Sequence, residues 1–226
     1  MAELKAVIFD MDGTLVDTEK YHYSAVAKVL KDYGIRYTYE DHLNKFTGSG
    51  SELLFKTVFK ENNLDNNVDE AVHKKTEYFG EMIEEGGVDL LVGLDDFLID
   101  LKENGIRLMV ASGSRKEIIL EVLEKTRILD FFEIIVSGRE VENPKPAPDI
   151  FLRVMELANL KAENCVVFED AINGVKSAKS AGLFCIGIDS AGNSDLLEKA
   201  GTGMIIRDYK NLNTKKLLFI YENQKR

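Results

Sequence analysis

The sequence predicts a doubly wound, mostly parallel α/β sheet with a helical domain inserted after its first strand. Three observations carry that expectation. Short apolar runs end in polar or acidic residues, helical patterns lie between them, and one long early stretch is helical throughout.

The first run is Lys5 to Asp10, near-continuously apolar until its final acid, as a parallel strand buried on both faces requires. Ile106 to Ser112, Glu133 to Gly138 and Cys165 to Asp170 repeat the pattern, and Phe184 to Asp189 completes the expected set. Leu94, Phe97, Leu98 and Leu101 form a helical stripe that Gly105 is placed to cap, and Val175 and Ala178 line another closed by Gly182. From about Thr18 to Val88 only helical spacing occurs, for example Val26, Val29, Leu30 and Tyr33, and Glu85-Gly86-Gly87 reads as a hinge. The expected division is therefore a core of residues 1–17 and 88–226 and a helical domain of residues 18–87. Leu212 to Glu222 reads as a terminal helix.

Composition narrows the function classes. The 226 residues are 45% hydrophobic and 30% charged, with a net charge of −10 and no basic stripe. Such a surface repels nucleic acid and anionic membranes, so neither is expected as a partner. No apolar run approaches the ~20 residues of a membrane span, and the first residues show no secretory pattern, so a cytoplasmic protein is expected. Cys165 and Cys185 each open a strand-like run and read as small core residues rather than a disulfide or a metal pair. The three histidines have no zinc-ligand spacing.

In open α/β sheets ligands bind beyond the carboxyl ends of the strands, so those ends are where chemistry is sought. The first strand runs into Asp10-Met11-Asp12-Gly13-Thr14. Residues two apart in an extended segment point the same way, ~7 Å apart, and two acids so aimed repel unless a cation or a proton intervenes. A lone Asp-x-Asp is more often a solvated turn. Here, however, the fourth strand ends in Glu169-Asp170, and adjacent strands would bring the two pairs together. Burying several carboxylates without a partner costs on the order of several kcal/mol for each charge. Carboxylate oxygens around an open position suit Mg²⁺.

Two further strand ends supply complementary groups. Ser112-Gly113-Ser114 precedes a helix that begins near Arg115, and hydroxyls with free N–H groups at a helix start make an anion site, although a plain capping serine is the commoner case. Lys145 stands among Pro144, Pro146 and Pro148, all the prolines of the chain, on a backbone that proline stiffens from both sides. Asp10, Glu169 and Asp170 carry three negative charges, and Mg²⁺ with Lys145 carries three positive ones. A site so balanced admits a phosphate dianion despite the acidic surface.

In their order and spacing these residues resemble the haloacid dehalogenase superfamily of phosphotransferases, and within it the β-phosphoglucomutase-like and phosphatase group. The matching motifs are Asp10-Met11-Asp12-Gly13-Thr14-Leu15-Val16-Asp17, Ser112, Lys145 and Glu169-Asp170, and the resemblance spans nearly the whole chain. It implies a Rossmann-like core with the Asp10 strand in the middle, and a cap formed by the helical insertion. It implies that Asp10 is the nucleophile, with Mg²⁺ held by Asp10, the Asp12 backbone carbonyl and Asp170, and Glu169 in support. Ser112, Lys145 and backbone N–H groups near Met11 and Gly113 would hold the phosphoryl oxygens. Asp12 would act as general acid and base, a residue that separates phosphotransferases from dehalogenases.

The same resemblance addresses the substrate. Thr18 and His22 match positions used near the hinge, though His22 reads equally as a surface histidine on a cap helix. Gly48 matches the loop of the cap. The mutases carry lysine where Thr47 stands and arginine where Ser51 stands, and both cations are missing. Ser114 and Arg115 fall where the mutases contact a distal phosphate. The expectation is a monomeric phosphatase of a small phosphorylated metabolite, a sugar phosphate above all, with a phosphosugar mutase as the alternative. A phosphorylatable signalling module fits less well, because it has no use for Asp12.

Overall fold

The computed structural model describes residues 3–42, 51–65, 67–190 and 192–224. The chain divides into two compact units, Met1–Asp17 with Asp89–Arg226, and Thr18–Val88.

The larger unit is a six-stranded sheet. Its strands are β1 (Ala6–Phe9), β2 (Arg107–Ser112), β3 (Ile134–Ser137), β4 (Cys165–Glu169), β5 (Phe184–Ile188) and β6 (Met204–Ile206). The order is β3-β2-β1-β4-β5-β6 with every pairing parallel, so β1 lies between β2 and β4. The chain winds outward on one side of β1, then returns to the other, which makes the β1–β4 boundary the switch point where an open sheet forms its crevice. Residues Asp10 and Glu169-Asp170 stand there.

The alternation within β1 sorts the two faces. Ala6 and Ile8 join Met109, Ala111, Val167, Phe151 and Val154 in a largely aliphatic layer. Phe9 points the other way. Its ring stacks on Phe168, its register partner, at 5.2 Å and meets Phe97 and Tyr209 edge-on or tilted. That aromatic layer backs the first strand just before Asp10, and emptying it, as in Phe9→Ala, would cost about 3–5 kcal/mol. Helices α5 (Leu94–Glu103), α6 (Lys116–Lys125), α7 (Asp149–Ala158), α8 (Ile172–Ser180), α9 (Ser194–Ala200) and α10 (Thr214–Asn223) complete this unit. Gly105 and Gly182 take the positive φ expected of helix-ending residues.

The sixth strand corrects the expected set of five. Met204–Ile206 is three residues long, only half-buried, and paired on one side, too short for a periodic pattern to register. Both cysteines are buried and free, and burial pushes the Cys165 thiol up to about 11.

The smaller unit contains α1 (Glu19–Asp32), the single turn α2 (Tyr39–Asp41), α3 (Ser51–Glu61) and α4 (Val68–Gly86). Val26, Val29 and Leu30 of α1 pack against Leu54, Phe55, Val58 and Phe59 of α3 and Ala71 of α4. Caps delimit the pieces: Thr38 and Asp41 form a reciprocal capping box, and Asn67 accepts from the backbone of Asp69 and Glu70. The expected hinge starts later than its composition suggests. Glu85 and Gly86 belong to α4, and the helix breaks at Gly87, whose carbonyl accepts from the Tyr21 hydroxyl. Among the described residues no helix is long and apolar enough to cross a membrane.

Candidate active site

The site is built on four strand ends of the sheet unit. The Asp10 N–H donates to the Phe168 carbonyl at 3.0 Å, which carries the β1–β4 ladder one residue further and fixes the carboxylate at the switch point. Asp10 is 7% exposed, and Glu169 at the end of β4 only 1%. With Asp170 they form a group in which one oxygen from each carboxylate lies within 4.8 Å of the others.

Lys145 closes that group from the proline-rich loop. Its Nζ donates to Asp10 Oδ1 at 2.6 Å, Glu169 Oε1 at 2.7 Å and the Ala111 carbonyl at 2.9 Å. Three donors meet three acceptors, so the ammonium is held in one orientation. Burial opposes its charge, but the two carboxylates outweigh that and raise the Lys145 pKa above its ordinary value. Burial pushes the Asp10 carboxyl up to about 8, with Lys145 pulling down and the charges of Glu169 and Asp12 pushing up. Three carboxylates thus meet one ammonium in this cluster, and Asp10 bears the cost.

Two glycines make room for the acids. A β-carbon on Gly174 would lie 1.6 Å from Glu169 Oε1, and one on Gly13 would lie 2.0 Å from Asp170 Oδ2. Gly13 also has φ +72°, a conformation that side chains strain. Glu169 Oε2 accepts from the Ala171 N–H at 3.0 Å, so both its oxygens are engaged. Asn193 donates to the Asp170 carbonyl at 3.1 Å.

Asp12 does not aim its carboxylate into the acid cluster as an extended Asp-x-Asp would. Its Oδ2 accepts from Ser114 Oγ at 2.8 Å, across the end of β2. Met11 between the two acids is fully buried, and the chain turns there, with Leu15 and Val16 both donating to the Met11 carbonyl. Ser112 is fully buried and its Oγ accepts from the Ser114 N–H at 3.1 Å. Gly113 and Arg115 are exposed, and Arg115 sits at the N-cap of α6 without a side-chain cap.

The structure therefore brings Asp10, Asp12, Ser112, Ser114, Lys145, Glu169 and Asp170 to one end of the sheet. Thr18 and His22 lie in the helical unit. Thr18 is buried just before α1, and His22 is half-buried, stacked on Phe79 at 4.3 Å with its Nδ1 2.7 Å from Lys75 Nζ. The surface-histidine reading of His22 is replaced by a packed one. Gly48, with Thr47 beside it, lies outside the described residues. Gly174, Asn193 and Lys75 went unmarked in the sequence. A glycine inside a helical pattern four residues past an acidic strand end was the one available signal, and nothing local distinguishes Asn193 or Lys75.

The three carboxylates fit a hard divalent cation. They offer oxygen only, they converge, and Asp10 is destabilised as an anion in their company.

A sequence model of the haloacid dehalogenase-like hydrolases matches residues 7–188. The chain is 33% identical over 219 residues to the phosphorylated carbohydrates phosphatase of Thermotoga maritima, covering 94% of this chain and 99% of that one. It is 31% identical over 193 residues to the β-phosphoglucomutase of Bacillus subtilis, covering 82% and 83%. The crystal structure of β-phosphoglucomutase from Clostridium difficile superposes with a TM-score of 0.81 at 27% identity, covering 98% of this chain and 99% of that one. The chain belongs to the haloacid dehalogenase-like hydrolase family.

Proposed function

We propose that the protein is a Mg²⁺-dependent phosphatase of a small phosphorylated sugar, working through a phosphoryl group carried on Asp10. The observation that supports this most is the setting of Asp10: a buried carboxylate at the switch point, gripped by Lys145 and grouped with Glu169 and Asp170. The relatives named above as acting on phosphorylated carbohydrates favour a sugar phosphate over other monoesters.

In this reading Asp10 attacks phosphorus, forming a carboxyl–phosphoryl bond as the bond to the leaving oxygen breaks. Asp12 gives its proton to that oxygen, then takes one from the water that attacks the phosphoryl-aspartate. Lys145 keeps the Asp10 carboxylate oriented, and with the Ser112 hydroxyl and the N–H groups near Met11 and Gly113 it holds the transferring oxygens. Asp10, Asp170 and the Asp12 carbonyl, with Glu169 in support, would hold Mg²⁺, which when bound would supply positive charge for the transferring phosphoryl group. The helical unit would carry the selectivity for substrate.

The test is product analysis on a panel of sugar phosphates with Mg²⁺, including β-glucose 1-phosphate with a trace of the bisphosphate. Inorganic phosphate is the expected product. Efficient formation of glucose 6-phosphate would establish a mutase instead, and no turnover of any monoester would remove the phosphotransferase reading altogether.

A further inference from the structure

Three features of the larger unit converge on a residue with no role so far. Ser137 ends β3, is fully buried, and stands opposite Ser112 in the β2–β3 register. Its Oγ donates to the Ser114 carbonyl at 2.6 Å and accepts from the Arg139 N–H at 3.2 Å. Its own N–H donates to Glu140 Oε1 at 2.9 Å, an oxygen that also lies 3.2 Å from Lys116 Nζ. The next residue adds a further tie, since the Gly138 N–H donates to the Ser112 carbonyl at 2.7 Å. A β-carbon on Gly138 would meet Gly113 Cα at 3.1 Å. The end of β3 therefore grips the Ser112-Gly113-Ser114 loop on both sides of Gly113.

That loop reaches the acid and base through a hydroxyl. Ser114 Oγ donates to Asp12 Oδ2 at 2.8 Å. The direction of a serine hydroxyl follows from its backbone, and the Ser114 backbone is held at its N–H by Ser112 Oγ and at its carbonyl by Ser137 Oγ. With Ser137 removed, one of these two restraints goes and the Ser114 carbonyl is left without its buried donor.

We infer that Ser137 is a positioning residue for the reaction. It acts through Ser114 to orient the Asp12 carboxyl that protonates the leaving oxygen. The inference rests on the proposed role of Asp12 and adds to it a residue on a strand two places away, with no contact to substrate.

The chemistry supplies a readout that a purely structural role would not move. A p-nitrophenolate leaves without help from an acid, whereas an alkoxide needs its proton as the P–O bond breaks. Single-turnover formation of the phosphoenzyme is measured with p-nitrophenyl phosphate and with a simple alkyl phosphate. Ser137→Ala should slow the alkyl ester by about tenfold and the aryl ester by no more than about twofold. Ser114→Ala, at a half-buried position, should show the same selectivity, and the double variant should lose less than the product of the two. Equal slowing of both esters, or independent effects in the double variant, would overturn the inference. Asp12→Asn in the same assay separates the two levels. If it shows no preference between the esters, the Asp12 role fails and the inference falls with it. If it discriminates and Ser137→Ala does not, only the inference falls.

Discussion

Each unit of the molecule buries a cluster of ionisable groups, and the two clusters are balanced in opposite ways. In the sheet unit, Asp10, Glu169 and Asp170 share one lysine, and the Asp10 carboxyl is pushed up to about 8, chiefly by burial. In the helical unit the acid Glu19 lies among basic side chains. Burial alone would raise its pKa, but the hydrogen bond with His42 and the charges of His22, His42 and Lys75 together hold it below its usual 4.5. His42 completes that arrangement, with Nε2 2.8 Å from Glu19 Oε1 and Nδ1 3.0 Å from the Tyr37 hydroxyl. The second cluster sets basic groups around its acid, as a structural polar core does. The first is left with negative charge to spare, which is how a protein prepares a place for something it does not make. Charge imbalance, more than the mere burial of charge, separates a reaction centre from a fastening.

The sharpest way to break this contrast is Asp10→Asn. Turnover of p-nitrophenyl phosphate should fall by more than about a thousandfold, with the circular dichroism spectrum unchanged. A sizeable remaining rate would show that the imbalance at Asp10 serves something other than a nucleophile.

Next in size is the response to Mg²⁺. Because the carboxyl of Asp10 is raised, it holds a proton at pH 5 that a cation must displace, and largely loses it above pH 8. Affinity measured by calorimetry should therefore climb between those limits by up to about tenfold per pH unit, with proton release. Saturation to a hundred times the dissociation constant should stabilise the protein by about 2.7 kcal/mol, and chelation should reverse both stability and activity. A pH-independent affinity would mean that Asp10 is not a ligand.

The smallest effect belongs to the helical unit. A lowered acid contributes stability that is complete above its usual 4.5 and disappears as pH falls through the lower folded value. Glu19→Gln should cost on the order of 1 kcal/mol at pH 7, and its stability should decline less steeply than that of the parent protein under acid. Mg²⁺ titration should be unaffected. A variant that loses no stability at neutral pH would deny the cluster its fastening role.

Much of the fold was legible because its signals are local. An apolar run with a polar or acidic end, a helical stripe ending in glycine, and a proline-flanked lysine each report on a few consecutive residues, and β1 to β5 could be read that way. The edge strand β6 could not, since three half-buried residues carry no period. The site divides along the same line. Asp10, Glu169 and Asp170 stood out by ending strands. The turn of Asp12 toward Ser114, the closeness of Gly174 to Glu169 and the hold of Ser137 on the loop left no mark in any window of the chain.

The amino-acid order by itself determined five of the six strands, the helical stripes between them, which acids finish those strands, and that the chain as a whole carries excess negative charge. Only the tertiary structure decided that Lys145, 135 residues from Asp10, divides its three donors between two carboxylates and a carbonyl, and that Asp12 is held by a serine 102 residues away. The reason is physical. Periodicity and capping depend on neighbours within a turn or two, whereas the meeting of distant side chains depends on strand order and register, which emerge only when the sheet is assembled.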